Sequence, residues 1–176
     1  MSQGLTAAAL SQSHLARGMS TGELQELLGM FEVTTYLPAE WIQIEGESSL
    51  RLCVVLKGRC RITKKTKSGQ EQELSVLEPH GIFGEMSFFN PAPHSASVQA
   101  LTEVELAGIR RDRFDILTRV GSTAAQKLAF NMLAVLIERL RAMDAWIADR
   151  IEHSQAHQHQ EEWLDFQRKL YTGWTF

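Results

Sequence analysis

Between about residues 32 and 110, apolar residues come in short runs rich in Val, Ile, Leu, Thr and aromatics, each closed by a turn residue. The runs predict strands over 33–37, 41–44, 52–56, 60–64, 72–77, 96–101 and 104–109. Gly46, Lys57-Gly58, Ser68-Gly69 and Pro79-His80-Gly81 punctuate them, and glycine takes turn conformations that a Cβ makes costly. Many short strands with a turn every eight to twelve residues or so, and no long helices between them, predict an antiparallel sandwich, roll or barrel.

On both sides of this region the period changes. Ser20 with Glu23 three residues on is a capping-box arrangement, and Leu24, Leu27, Leu28 and Phe31 follow at helical spacing. A short helix is expected over 111–115, and Gly121-Ser122-Thr123 opens a long one. Along it Ala129, Leu133, Leu136, Leu140, Met143 and Ile147 are spaced by alternating steps of four and three, a heptad seam, with Leu128, Met132 and Val135 beside it. One line is expected to pack on the strands. The seam over 129–147 is expected to form a homodimer. The chain thus divides into an N-terminal arm (1–19), a β-roll with short helices (20–121), a dimerisation helix (122–152) and a docked aromatic segment (153–176).

Composition changes this picture little. The chain has 176 residues, 44% apolar and 22% charged, with a net charge of -3 and its Lys and Arg scattered. That is ordinary for one globular domain and excludes a broad basic surface for nucleic acid. No run reaches the roughly 18 to 20 apolar residues of a membrane span, and the N-terminus lacks the basic start of a secretory signal. Cys53 and Cys60 fall in strand runs and read as small buried hydrophobes. A cytoplasmic location is expected. No nucleophile elbow, Walker-type phosphate loop or His-Glu-x-x-His occurs, so neither an enzyme nor a cofactor is expected. His153, His157 and Glu161 share a helix face that could hold a metal, although a solvated face is the plainer reading. A cupin-like metal enzyme is the alternative from another class, but His80 and His94 lack close-paired partners on one strand.

The informative stretch is Phe83-Gly84-Glu85-Met86-Ser87-Phe88-Phe89, then Asn90-Pro91-Ala92-Pro93, then His94-Ser95-Ala96-Ser97-Val98. It reads as a glycine-led turn into a short apolar helix, a loop and a strand. Backbone N–H groups gathered at such a turn suit an anion. Glu85 either faces the same small cavity, where it would accept from sugar hydroxyls, or caps the turn.

These residues resemble the phosphate-binding cassette of cyclic-nucleotide-binding domains. The resemblance runs over about 20–150 and takes in Gly46, Lys57-Gly58, Gly69 and Glu138-Arg139-Leu140-Arg141. It implies a mainly β fold with flanking helices, an eight-stranded antiparallel double-stranded β-helix (a jelly-roll-like β-roll of the catabolite-activator type) followed by a long C-terminal helix. It also implies a non-enzymatic sensor or regulatory module whose ligand is cyclic AMP or cyclic GMP. Glu85 would accept from the ribose 2′-hydroxyl. The N–H groups of Gly84, Ser95 and Ala96 would line the phosphate, with Met86 and Ser87 in the cassette helix and the Ser95 hydroxyl near phosphate or base.

Two departures qualify this. Where the family has an arginine on the phosphate, this chain has His94. Imidazole lacks the guanidinium fork, and near its usual pKa of about 6.5 it is charged only part of the time. Either the site binds a cyclic nucleotide or another small anion weakly, or the pocket is retired and the fold serves as a ligand-free protein-interaction scaffold. A phosphate-contacting His94 would make binding tighter at about pH 5.5 than at about pH 8. The residues after 150 are too few for the helix-turn-helix module of DNA-binding relatives, so no DNA partner is expected.

Overall fold

The computed structural model describes residues 7–153. They fall into two compact units, one ending at Met132 and the other beginning at Leu133. The first holds eight strands: β1 (Phe31–Tyr36), β2 (Trp41–Gln43), β3 (Arg51–Lys57), β4 (Cys60–Lys65), β5 (Glu71–Leu77), β6 (Ile82–Phe83), β7 (Ser97–Ala100) and β8 (Val104–Arg110). They form two four-stranded sheets, ordered β1-β8-β3-β6 and β2-β7-β4-β5, and every pairing is antiparallel. This is the expected β-roll.

Period-two alternation builds the layer between the sheets. Cys53 and Val55 of β3, Phe83 of β6, and Val104 and Leu106 of β8 meet Cys60 of β4 and Val98 and Ala100 of β7. Both cysteines are free, and burial pushes their thiols up to about 12 for Cys53 and about 11 for Cys60. Strand β3 is buried on both faces from Leu52 to Val55, because α3 (Glu85–Phe89) lies against its outer side. Gly58, at the β3–β4 turn, has a φ of 82°, and a Cβ there would collide with the Glu103 carbonyl oxygen. Strand β6, two residues long, is absent from the expected set. Its apolar run is too short to show a period.

Four further α-helices, α1 (Ala7–Ser11), α2 (Thr21–Leu28), α4 (Arg111–Arg119) and α5 (Thr123–His153), and a 3-10 turn at His14–Ala16 complete the described chain. The capping box on α2 is present. Ser20 N–H donates to Glu23 Oε2 at 2.7 Å, and Glu23 N–H donates to Ser20 Oγ at 3.4 Å. The Lys127 ammonium, 2.8 Å from Glu23, holds that carboxyl at about 2. The described part of the N-terminal arm is docked. Leu10 and Leu15 are fully buried, and Asn131 of α5 donates to the carbonyls of Leu15 and Arg17.

Leu128 and Met132 of α5 are fully buried in the first unit. In the second unit the seam residues Leu133 (52%), Leu140 (51%) and Met143 are exposed, with Ile137 and Trp146 on the same helix. Among the described residues no helix is long and apolar enough to cross a membrane. The aromatic segment and the His157–Glu161 spacing lie outside the described residues.

Phe88 ties α3 to the body. It is fully buried and packs edge-on against Phe89 at 5.0 Å and Phe114 at 5.3 Å between ring centroids. Phe88→Ala is expected to cost about 3–5 kcal/mol, measured by chemical denaturation. A loss below about 1 kcal/mol would show that the aromatic cluster does not hold the helix.

Candidate functional site

The site begins where β6 ends. Gly84 has φ 82° and ψ 0°, the left-handed conformation, and a Cβ on it would collide with the Arg51 carbonyl oxygen of β3. Both facts require glycine. The chain turns there into α3, burying Glu85, Ser87 and Phe88 and leaving Met86 59% exposed. Arg111 clamps the far end of the helix, with Nη1 donating to the carbonyls of Phe88 at 2.7 Å and Phe89 at 3.2 Å while Nε donates to Asp115 at 2.7 Å.

After α3, residues 90–96 return along the β2–β3 connection. His94 N–H donates to the Glu47 carbonyl at 2.8 Å, and Gly46 N–H donates to the His94 carbonyl at 2.9 Å. Ser95 reaches back to α3, its hydroxyl 3.7 Å from Met86 Sδ, and its carbonyl accepts from Lys64 Nζ at 2.8 Å. Gln43 Nε2 donates to the Ala96 carbonyl at 3.0 Å. The seven residues singled out from sequence therefore lie at the turn into α3 (Gly84), on α3 (Glu85, Met86 and Ser87) or on the loop facing it (His94, Ser95 and Ala96). Two of them pair directly with the others: Ser95 with Met86, and His94 with Ser87.

His94 points inward. It is 5% exposed, and both ring nitrogens are engaged within the protein. The backbone N–H of Ser49 donates to Nε2 at 3.1 Å, and the Ser49 hydroxyl lies 2.8 Å from the same nitrogen. Ser87 Oγ lies 3.1 Å from Nδ1. A backbone amide can only donate, so Nε2 carries no proton and the proton of the neutral ring sits on Nδ1. Nδ1–H then donates to Ser87 Oγ, whose own hydroxyl reaches the carbonyls of Ser49 and Gly84, both at 3.3 Å. Burial holds the imidazole below its ordinary pKa, with Glu47 pulling the other way. His94 is thus held in an internal bracket in this structure, and burial disfavours the charged form of its ring.

Sequence reasoning did not single out Ser49, Lys64, Gln43 or Arg111. Each joins the site through a partner far along the chain, and no local pattern marks it. A cavity of about 570 Å3 adjoins the site at Ser49, lined by Glu32, Arg51, Arg110, Arg111, Asp112 and Asp115 among others. Two of its arginines are paired there, Arg110 with Asp112 at 3.0 Å and Arg111 with Asp115 at 2.7 Å. Among the described residues no group of three or more His, Cys, Asp or Glu could hold a metal ion.

Residues 33–119 match the family model described as cyclic nucleotide-binding domain. The chain is 26% identical over 142 residues to the CRP-like cAMP-activated global transcriptional regulator of Mycobacterium tuberculosis, covering 81% of this chain and 62% of the relative. It is 31% identical over 132 residues to the cyclic AMP receptor protein of Thermus thermophilus, covering 75% and 59%. The crystal structure of the Thermus thermophilus catabolite activator protein superposes with a TM-score of 0.70 at 29% identity, covering 80% of this chain and 63% of that one. The chain spans about three fifths of the length of these curated relatives.

The buried neutral ring makes the fold sensitive to acid. The unfolded chain holds His94 near 6.5 and the folded chain lower, so the unfolded state takes up the proton first as pH falls. The stability His94 confers is complete above about pH 6.5 and is lost progressively below it. Between about pH 7.5 and 5 the melting temperature of the wild type should fall more than that of His94→Gln. Parallel curves for the two proteins would contradict this.

Proposed function

Residues 33–119 belong to the cyclic nucleotide-binding domain family, and from that premise we propose that the chain is a non-enzymatic sensor or regulatory module that takes a cyclic nucleotide at the cassette. One observation carries the reading. The left-handed turn at Gly84 sets α3, with Glu85 and Met86, against the loop of Ser95 and Ala96, within the stretch that matches the family. Glu85 is the group for the ribose hydroxyl, and the loop amides are the groups for the phosphate.

The binding is weak in this reading. A guanidinium would add a charge-assisted fork at the phosphate, whereas His94 is neutral and spent on Ser49 and Ser87. That difference corresponds to on the order of 1.5 to 3 kcal/mol, about ten- to a hundredfold in affinity. Calorimetric titration with cyclic AMP and cyclic GMP tests it. His94→Arg should tighten binding by about tenfold or more, and Glu85→Gln should weaken it. Absence of binding to either nucleotide, in the wild type and in His94→Arg, would overturn the reading. It would favour instead a ligand-free interaction scaffold, for which the fully engaged His94 ring is the supporting observation.

The reading includes a homodimer. Leu133, Leu140 and Met143 of the heptad seam are exposed on α5, with Ile137 exposed beside them, and such an apolar line is what a partner helix of the same kind covers. Sedimentation at tens of micromolar should give a dimer, and Leu133→Glu with Leu140→Glu a monomer. A monomeric wild type would remove the dimer from the proposal. Two free buried thiols suit a reducing compartment such as the cytoplasm.

A further inference from the structure

With His94 turned inward, an anion in the cassette lacks a counter-charge from the loop itself. We propose that Lys64 supplies it, reaching the ligand's phosphate from the neighbouring strand. This rests on the reading of the cassette as a nucleotide site.

The side chain is placed by its own contact. On β4, Ile62 packs on the core between the sheets opposite Val98 of β7, and Lys64 stands two residues further on, past a shift in the pairing with β5. Its Nζ lies 2.8 Å from the Ser95 carbonyl, so the charge sits at the edge of the loop that carries the phosphate amides. The side chain is 50% exposed, open to a ligand arriving from solvent.

The ammonium also has capacity to spare. It carries three N–H donors. One serves Ser95, and a looser ion pair spans 3.9 Å to Glu45 Oε1. Glu45 is itself held in place, because its Oε2 accepts from Lys65 N–H at 2.8 Å. Without ligand, Glu45 offsets part of the lysine charge. A phosphate oxygen would compete with that carboxylate for the ammonium, and the flexible lysine stem lets the charge follow the ligand. The same carboxylate would repel the phosphate, so Glu45 opposes the binding that Lys64 favours.

Cyclic AMP and cyclic GMP are titrated into the wild type, Lys64→Gln, Lys64→Arg and Glu45→Gln at low and at physiological salt, with thermal melting to show that each variant is folded. Lys64→Gln should bind about tenfold or more weakly than the wild type, Lys64→Arg should stay within about threefold, and Glu45→Gln should bind more tightly. The wild type should lose more affinity with added salt than Lys64→Gln, a difference that loss of a merely structural tie to Ser95 would not produce. Lys64→Gln within twofold of a binding wild type, with an equal salt dependence, overturns the role of Lys64 and leaves the nucleotide site standing. A wild type that binds neither nucleotide overturns both.

Discussion

The close approach of two backbones at Gly84 is the constraint on which the rest depends. Because this residue lacks a Cβ, the chain can pass against the Arg51 carbonyl and turn with positive φ straight from β6 into α3. That turn sets the helix on the outer side of β3, where Phe88 joins Phe89 and Phe114. It also fixes the side that Ser87 presents to His94. A larger residue would have to push α3 off the sheet, and the returning loop would lose its partner.

The loop answers with a second tie made of polar groups. An amide, an imidazole and a hydroxyl pass hydrogen bonds in sequence from Ser49 to Ser87. A buried polar chain stabilises only while each member is satisfied, because an unpaired buried polar group is costly. The imidazole at position 94 therefore serves the fold and cannot serve a ligand in the same geometry. An arginine placed there could not accept from the Ser49 N–H, as Nε2 of the imidazole does. The residue that departs from the family pattern is thus consistent with its surroundings.

Much of the architecture was legible in the sequence because turns and alternation are local. Gly46, Gly58, Gly69 and Gly84 all take positive φ, and seven of the strands fall close to the apolar runs between such turns. What escaped notice was short or long-range. Ile82–Phe83 pairs with Val54 and Cys53, yet two residues cannot display a period. Leu10 and Leu15 are buried, but lie in a stretch too polar to show a stripe. Within the site, the cassette residues follow one another and could be grouped by eye. The direction of the His94 ring depends on Ser49, 45 positions away, and the place of Lys64 on Ser95, 31 positions away. Orientation is decided by partners, and a single sequence does not display partners.

The two cysteines carry a consequence of a different sort. Cys53 and Cys60 come from opposite sheets and share one apolar layer, with their thiols held far from the reactive thiolate form. An alkylating reagent can therefore meet either sulfur only after the layer between the sheets has opened. The rate at which the chain takes up such a label is a clock for separation of the two sheets, blind to fraying of the helices around them.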